Sequence, residues 1–374
     1  MNGSVPGFAM TSEGTEYMVV DLGGGTADIT VHQKVANGRL KEIHRAMGND
    51  CGGTSSVDRR FFKLCEKIFG EKIMKSLKEE SPLAYLDLVR EFEIVNKTLE
   101  IYKPKVTITI PFVALNTMCQ EVHKKDLKSL LKSCTYSEEI TLTHDKIRMS
   151  LEFFKKLYTS TINNVLTLMK EILGKKTLKG VTHLLLVGGF SDCQFIKDAV
   201  NKEFQEKRII IPEEASLSVL RGAVLFGHKP EYIQSRIMRC SYGVKTNVPW
   251  DDRKYDKKHY AVMEGEERCD NIFSLIVGKD ESVEAGILVK KLFFTPFKHQ
   301  DKMDIMVYVS EETTPGYVDD NTCSLLCRPT ITFSDTCEDQ RWVNVEFVLG
   351  NTEIDLKAHD RMSGEAISAK FNLI

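Results

Sequence analysis

The stretch VVDLGGGTADITV, Val19–Val31, sets three consecutive glycines between two apolar runs. Before them, Tyr17–Val20 is short and apolar. After them, Ile29, Val31 and Val35 fall on one alternating face, the period of a strand. The chain therefore reads as strand, glycine turn, strand. A dinucleotide-binding fingerprint leaves its glycines into a helix instead, and the GxxxxGK[ST] signature of a P-loop is absent. Further on, Asn37-Gly38 predicts a type I′ hairpin that returns the chain through Leu40 and Ile43.

Two more glycine clusters follow, GNDCGGTSSVD (Gly48–Asp58) and LVGGFSD (Leu186–Asp192). Glycine loops at strand ends expose backbone N–H groups with no side chain in the way, which suits phosphate oxygens. A single GGG turn serves equally well as a tight hairpin with positive φ. Three clusters in strand-to-loop context favour phosphate.

Between the clusters the pattern is helical. Val57, Phe61, Leu64, Cys65 and Ile68 form one face, and helical spacing runs on into REFEIVNKTLE, Arg90–Glu100. VTITIPF (Val106–Phe112) reads as a strand closed by Pro111. A long helix is expected from near Thr143, through Ile147, Leu151, Phe154, Tyr158, Ile162, Val165, Met169 and Ile172, stopped by Gly174. His183–Phe190 is a buried-type strand ending at a glycine pair, with Ser191 as the expected N-cap of the next helix. Arg208–Ile211 is another short strand, and Pro212–Gly227 reads as a helix opened by its proline. From Tyr242 to Ile374 short alternating runs such as KMDIMVYVS and WVNVEFVLG dominate, an all-β pattern for which a sandwich is the economical arrangement.

Composition narrows the function classes. With 51 basic against 53 acidic residues the formal charge is −2, which argues against nucleic acid as a partner. The basic run His123–Lys132 reads as a solvated helix face. No apolar stretch approaches the roughly 18 residues of a membrane span, and the N-terminus lacks the basic and apolar regions of a signal peptide. Ten scattered cysteines read as reduced thiols of a cytoplasmic protein. Cys323, Cys327 and Cys337 offer poor zinc spacing, and none of the nine histidines lies in an HExxH arrangement.

The glycine turn between two strands resembles the phosphate hairpin of the actin-like ATPases. DLGGGTAD resembles the second phosphate motif of the heat-shock 70 kDa chaperone family, GNDCGG its following glycine turn, FEIVNKTLE its adenine-contacting helix, and LVGGFSDC its adenosine motif. Order and spacing match from Tyr17 to about Gly227. SRIMRCSYGV (Ser235–Val244) and NTEIDLKAHDRMSG resemble the divergent heat-shock 70 kDa protein 12 branch. The implied fold is α/β then all-β: residues 1–16 as a disordered N-terminus, 17–230 as the second lobe of an actin-like (ribonuclease H-like) ATPase domain, and 231–374 as a β-rich, sandwich-like substrate-binding domain.

The resemblance implies ATP and Mg²⁺ as cofactors, with protein clients or co-chaperones as partners. It assigns Gly23, Gly24, Gly25 and Thr26 to the terminal phosphate. Asp21 falls near the Mg²⁺ water shell and the attacking water, making Asp21 and Thr26 the catalytic pair. Gly52 and Gly53 would face the ribose and phosphates, Glu93 and Lys97 the adenine, and Gly188 and Gly189 the nucleoside. Asp28 and Glu213 match acidic positions, but a turn carboxylate and a helix-start carboxylate explain them as readily.

Departures qualify the expected activity. The family's first lobe contributes another glycine-threonine loop, a second aspartate and a lysine, and only sixteen residues precede Tyr17. Phe190, Asp192 and Cys193 stand where the family has small polar residues and an arginine, so one adenine-stacking partner is lost. The acidic, leucine-rich linker between domains is missing from His228–Val244. Micromolar binding is about 8 kcal/mol; losing three or four phosphate contacts at about 1.5 kcal/mol each leaves millimolar binding or weaker. The expectation is an N-terminally incomplete chaperone-like protein with weak or absent ATPase activity. Two alternatives stand beside it: a protein-binding module with a vestigial nucleotide site, and another actin-like phosphotransferase such as a sugar kinase.

Overall fold

A computed structural model describes residues 12–49, 53–334 and 337–372. The chain divides into two compact units, one made of 15–30 with 47–228, the other of 1–14, 31–46 and 229–374. Gly52 and most of the expected N-terminal segment lie outside the described residues.

The first unit begins with β1 (Glu16–Leu22) and β2 (Ala27–Lys34), whose inner half belongs to it. The strand, glycine turn, strand order holds. After β3 (Leu40–Asn49) come α1 (Thr54–Phe69), α2 (Glu71–Glu80) and α3 (Pro82–Lys97). A small antiparallel sheet follows, formed by β4 (Lys105–Thr109), β5 (Ile140–Thr143) and β6 (Lys146–Ser150), with α4 (Phe112–His123) and α5 (Leu127–Ser133) between β4 and β5. The long helix α6 (Leu151–Leu173) then leads to β7 (Val181–Val187), α7 (Gln194–Glu203), β8 (Arg208–Ile210) and α8 (Ser218–His228).

Three expectations are corrected here. Ile147 is in β6, not in the long helix: Ile140 and Ile147 alternate with exposed neighbours across a tight β5–β6 hairpin, and Ser150 caps α6 by accepting the Phe153 amide at 3.1 Å. An apolar residue four positions before Leu151 fits a helical period by coincidence. Ser191 is no N-cap. It lies in a 3-10 turn (Gly189–Asp192) and donates its hydroxyl to the Gly188 carbonyl at 2.6 Å, while Cys193 precedes α7. Pro212 does not open α8, which starts at Ser218 after a 3-10 turn over Ala215–Leu217.

β1 and β7 pair in parallel, with Asp21 opposite Val187, and β7 pairs in parallel with β8. Met18, Val20 and Leu22 alternate inward with Leu184 and Leu186 to form the sheet's buried face. Because β1 and β7 run the same way, the loops after Leu22 and Val187 open at the same edge. That edge, beyond the carboxyl ends of parallel strands, is where α/β sheets bind ligands.

In the second unit, Asn37 and Gly38 both take positive φ (60° and 73°), as a type I′ turn requires, and join β2 to β3. β3 pairs with β9 (Ile233–Ile237). Next come β10 (Ser241–Pro249), β11 (Tyr260–Met263), β12 (Glu266–Val277) and β13 (Ser282–Glu284), the last pairing with β9. They are followed by β14 (Ile287–Phe294), β15 (Lys302–Asp304), β16 (Val307–Ser310), β17 (Cys323–Cys327) and β18 (Thr330–Thr332). The unit closes with β19 (Trp342–Leu349), β20 (Glu353–Asp360) and β21 (Ala366–Asn372). Sheets in the orders β11-β12-β10-β16-β17 and β14-β19-β20-β21 contribute to one buried cluster that includes Val244, Val307, Val345, Phe347 and Leu356. The fold is thus mixed α/β with a mixed sheet and several antiparallel sheets.

Candidate functional site

The glycine hairpin Gly23–Thr26 is pinned from below. The Gly23 amide donates to the Thr26 carbonyl at 3.1 Å, closing the turn. The Gly23 and Gly24 carbonyls then accept the first amides of α1, from Thr54 at 3.4 Å and Ser55 at 2.7 Å. Helix α1 so satisfies two of its unpaired N–H groups on the hairpin rather than on a side chain. Gly53, which precedes it, must be glycine: a Cβ there would come within 3.0 Å of the Gly24 backbone.

None of Gly23, Gly24 and Gly25 has positive φ, so the reading of this turn as a left-handed hairpin is not what the residues need. Nor does packing demand them. A Cβ at Gly24 or Gly25 would meet only the Thr54 or Ser55 hydroxyl, at 3.9 Å. Gly24, Gly25 and Thr26 are exposed, and among the described residues no acceptor takes the Gly24 or Gly25 amide. What three glycines achieve here is a bare, outward N–H surface.

The second loop lies close by. Gly188 has φ +85°, and a Cβ on it would fall within 3.0 Å of Asp21 Oδ1 and the Leu22 carbonyl. Asp21 is thus brought under the β7 loop. Burial, and secondarily the Asp28 charge, hold its carboxyl above the usual carboxylate range. Asp28 accepts the Thr26 hydroxyl at 3.0 Å. Gly189 is exposed with open space around it.

These loops border a cavity of ≈ 960 Å³, within the rough 300–1,000 Å³ span of small-molecule sites. Gly23, Gly24, Glu93, Lys97, Gly189 and Glu213, all singled out from sequence, line it together. Asp21, Gly25, Thr26, Gly53 and Gly188 are not on its wall but belong to the adjoining hairpin and loops. Glu93 and Lys97 form an exposed i,i+4 ion pair at 2.7 Å.

Sequence reasoning passed over Asp58, Asn96, Tyr158 and Lys197, which also line the cavity. Asp58 stands one helical turn after Thr54 on the face that carries Phe61, a spacing visible in the sequence. Desolvation first, and the Glu93 charge second, push its carboxyl up to about 6. The Tyr158 hydroxyl donates to Asn96. On the wall, Phe92 stacks on Phe61 with centroids 3.9 Å apart and meets Phe154 edge-on at 6.1 Å. Phe190 is buried and lies parallel to Tyr158 at 6.4 Å, and both rings line the cavity. The cavity's charged groups are Asp58, Glu93, Asp192 and Glu213 against Lys97 and Lys197.

A ≈ 960 Å³ cavity flanked by a bare-amide hairpin between strands has the form of a small-molecule site suited to an anionic ligand. Comparison with known proteins goes further: the chain is a homologue of the heat-shock 70 kDa family, with the protein 12 branch matching it nearly end to end. It is 30% identical over 369 residues to heat shock 70 kDa protein 12A of Homo sapiens, covering 97% of this chain and 54% of that protein. To heat shock 70 kDa protein 12B of Homo sapiens it is 27% identical over 380 residues, covering 98% and 55%. Chaperone protein DnaK of Mycoplasma mycoides matches at 26% over 238 residues, 61% of this chain and 35% of that one. The chain spans about half the length of the protein 12 relatives. No protein-family profile matches it. Among the described residues, no helix is long and apolar enough to cross a membrane, and no group of three or more potential metal-ligating side chains occurs.

Proposed function

We propose that this chain is a nucleotide-binding, chaperone-like protein of the heat-shock 70 kDa protein 12 type, with ATP or ADP and Mg²⁺ as its ligands. The single observation that carries the reading is the exposed pair of unpaired amides at Gly24 and Gly25 beside the cavity. In this reading Gly23–Thr26 hold the outer phosphate and Gly53 packs the hairpin in place. Glu93 and Lys97 meet the base, and Gly188 and Gly189 let the nucleoside approach the backbone. Asp21 would hold Mg²⁺ through water, which suits an ion that keeps its waters and takes few carboxylates. Residues 17–230 then serve as an ATPase-type lobe and 231–374 as a client-binding β-domain.

Binding by this chain alone is weak and turnover slow or absent. Four carboxylates face two lysines in the cavity, and one of those lysines is engaged by Glu93. Calorimetry of Mg-ATP against this chain, and against a version extended by a first lobe, tests the reading. Millimolar binding by the first and micromolar binding by the second is expected; no binding by either refutes it.

A second reading, as a protein-binding module, draws on α8. Val219, Leu220, Val224 and Leu225 on that helix are all more than half exposed, an apolar face suited to a protein partner.

A further inference from the structure

We propose that Asp58 couples nucleotide binding to proton uptake: seating the anionic ligand transfers one proton from solvent to the Asp58 carboxylate. The inference rests on the nucleotide reading above and adds to it a residue that determines how binding responds to pH.

The geometry is that of a carboxylate with nothing to neutralise it. Asp58 projects from α1 into the cavity wall, half-buried, and among the described residues no hydrogen bond or ion pair engages its side chain. From α3 it faces Glu93, whose charge repels it, and Lys97, which Glu93 holds at 2.7 Å. From α6 it faces Tyr158, whose hydroxyl is committed to Asn96. Around the rest of the cavity stand Asp192, Lys197 and Glu213. Burial and Glu93 already bring the free carboxyl up to about 6, within reach of physiological pH.

A bound nucleotide changes this balance in one direction. It adds negative charge to the cavity and displaces water from it, and both effects favour the neutral acid. The protonated carboxyl then offers an O–H donor to the ligand where the ionised form offers only repulsion. By linkage, uptake of a proton on binding means that affinity rises as pH falls, by at most about tenfold per pH unit for one proton.

The test is calorimetry of ADP into the full chain at pH 7, in two buffers of different ionisation heat, with affinity also measured at pH 5.5 and 7.5. Because the ligand's terminal phosphate itself titrates near pH 6, the difference between wild type and Asp58→Asn is the readout. Buffer-dependent heat and tighter binding at pH 5.5 are expected in the wild type. In Asp58→Asn the extra proton uptake should vanish, while affinity at pH 7.5 equals or exceeds that of the wild type. Carboxyl-carbon NMR gives a second view: the Asp58 titration should move to higher pH when ADP is added. Intact binding with identical proton uptake in the two proteins overturns the inference and leaves the nucleotide reading standing. Absence of ADP binding at every pH overturns both.

Discussion

The backbone carbonyl of Gly24 accepts the Ser55 amide at 2.7 Å, while the Gly24 amide itself points to solvent with no partner among the described residues. One residue therefore ties the hairpin to α1 through its oxygen and leaves its nitrogen free. That division of labour separates folding from binding, and it can be broken one side at a time.

Gly25→Val adds a side chain where only the Ser55 hydroxyl lies near, at 3.9 Å, and where φ is ordinary. Stability should change by less than about 0.5 kcal/mol, while nucleotide affinity falls at least about tenfold, or 1.4 kcal/mol. Gly53→Ala drives a methyl into the Gly24 backbone and should lower stability by about 1–3 kcal/mol. Thermal unfolding and ligand titration of the two variants distinguish the roles.

Asp58 makes stability depend on pH. Its carboxyl is raised to about 6 in the folded chain against about 3.9 when unfolded. The contribution is therefore fully present below about pH 4 and lost as pH rises through 6. Asp58→Asn should be more stable than wild type at pH 7.5, by on the order of 1 kcal/mol after solvent screening, and gain nothing at pH 4. Far-UV circular dichroism, which reports the helices, measures it.

In the β-rich unit, Arg341 and Asp360 form a buried ion pair at 2.8 Å, with 1% and 0% of their side chains exposed. The Arg341 guanidinium also lies 4.6 Å from the Phe333 ring centroid. Removing the carboxylate strips a buried guanidinium of this ion pair, so Asp360→Ala should destabilise the unit by up to about 3–5 kcal/mol. Arg341→Met with Asp360→Leu should restore much of it. The two tryptophans, Trp250 and Trp342, both belong to this unit, so fluorescence during urea unfolding follows it directly.

The sequence exposed the parts governed by local chemistry. Alternation after Thr26 distinguished a strand from a helix and so excluded the dinucleotide fold. Asn37-Gly38 announced a turn that needs positive φ at both positions, and the turn has it. It did not expose what depends on distant partners. Ile147 fits both a helix and a strand until its pairing with Leu142 decides. Ser191 looks like a cap until the Gly188 carbonyl takes its hydroxyl. Asp58 sat in a quoted motif without a role, because its meaning comes from Glu93, thirty-five positions later in the chain, on another helix.

The bare hairpin is tested most directly by following backbone amide resonances during titration with Mg-ADP, up to about 10 mM to cover millimolar affinity. Saturable shifts at Gly24, Gly25 and Gly189, with Ser55 little changed because its amide is already bound, are the predicted result. Amides at Gly24 and Gly25 that stay still throughout, or that move only when residues remote from the cavity move, would contradict the account.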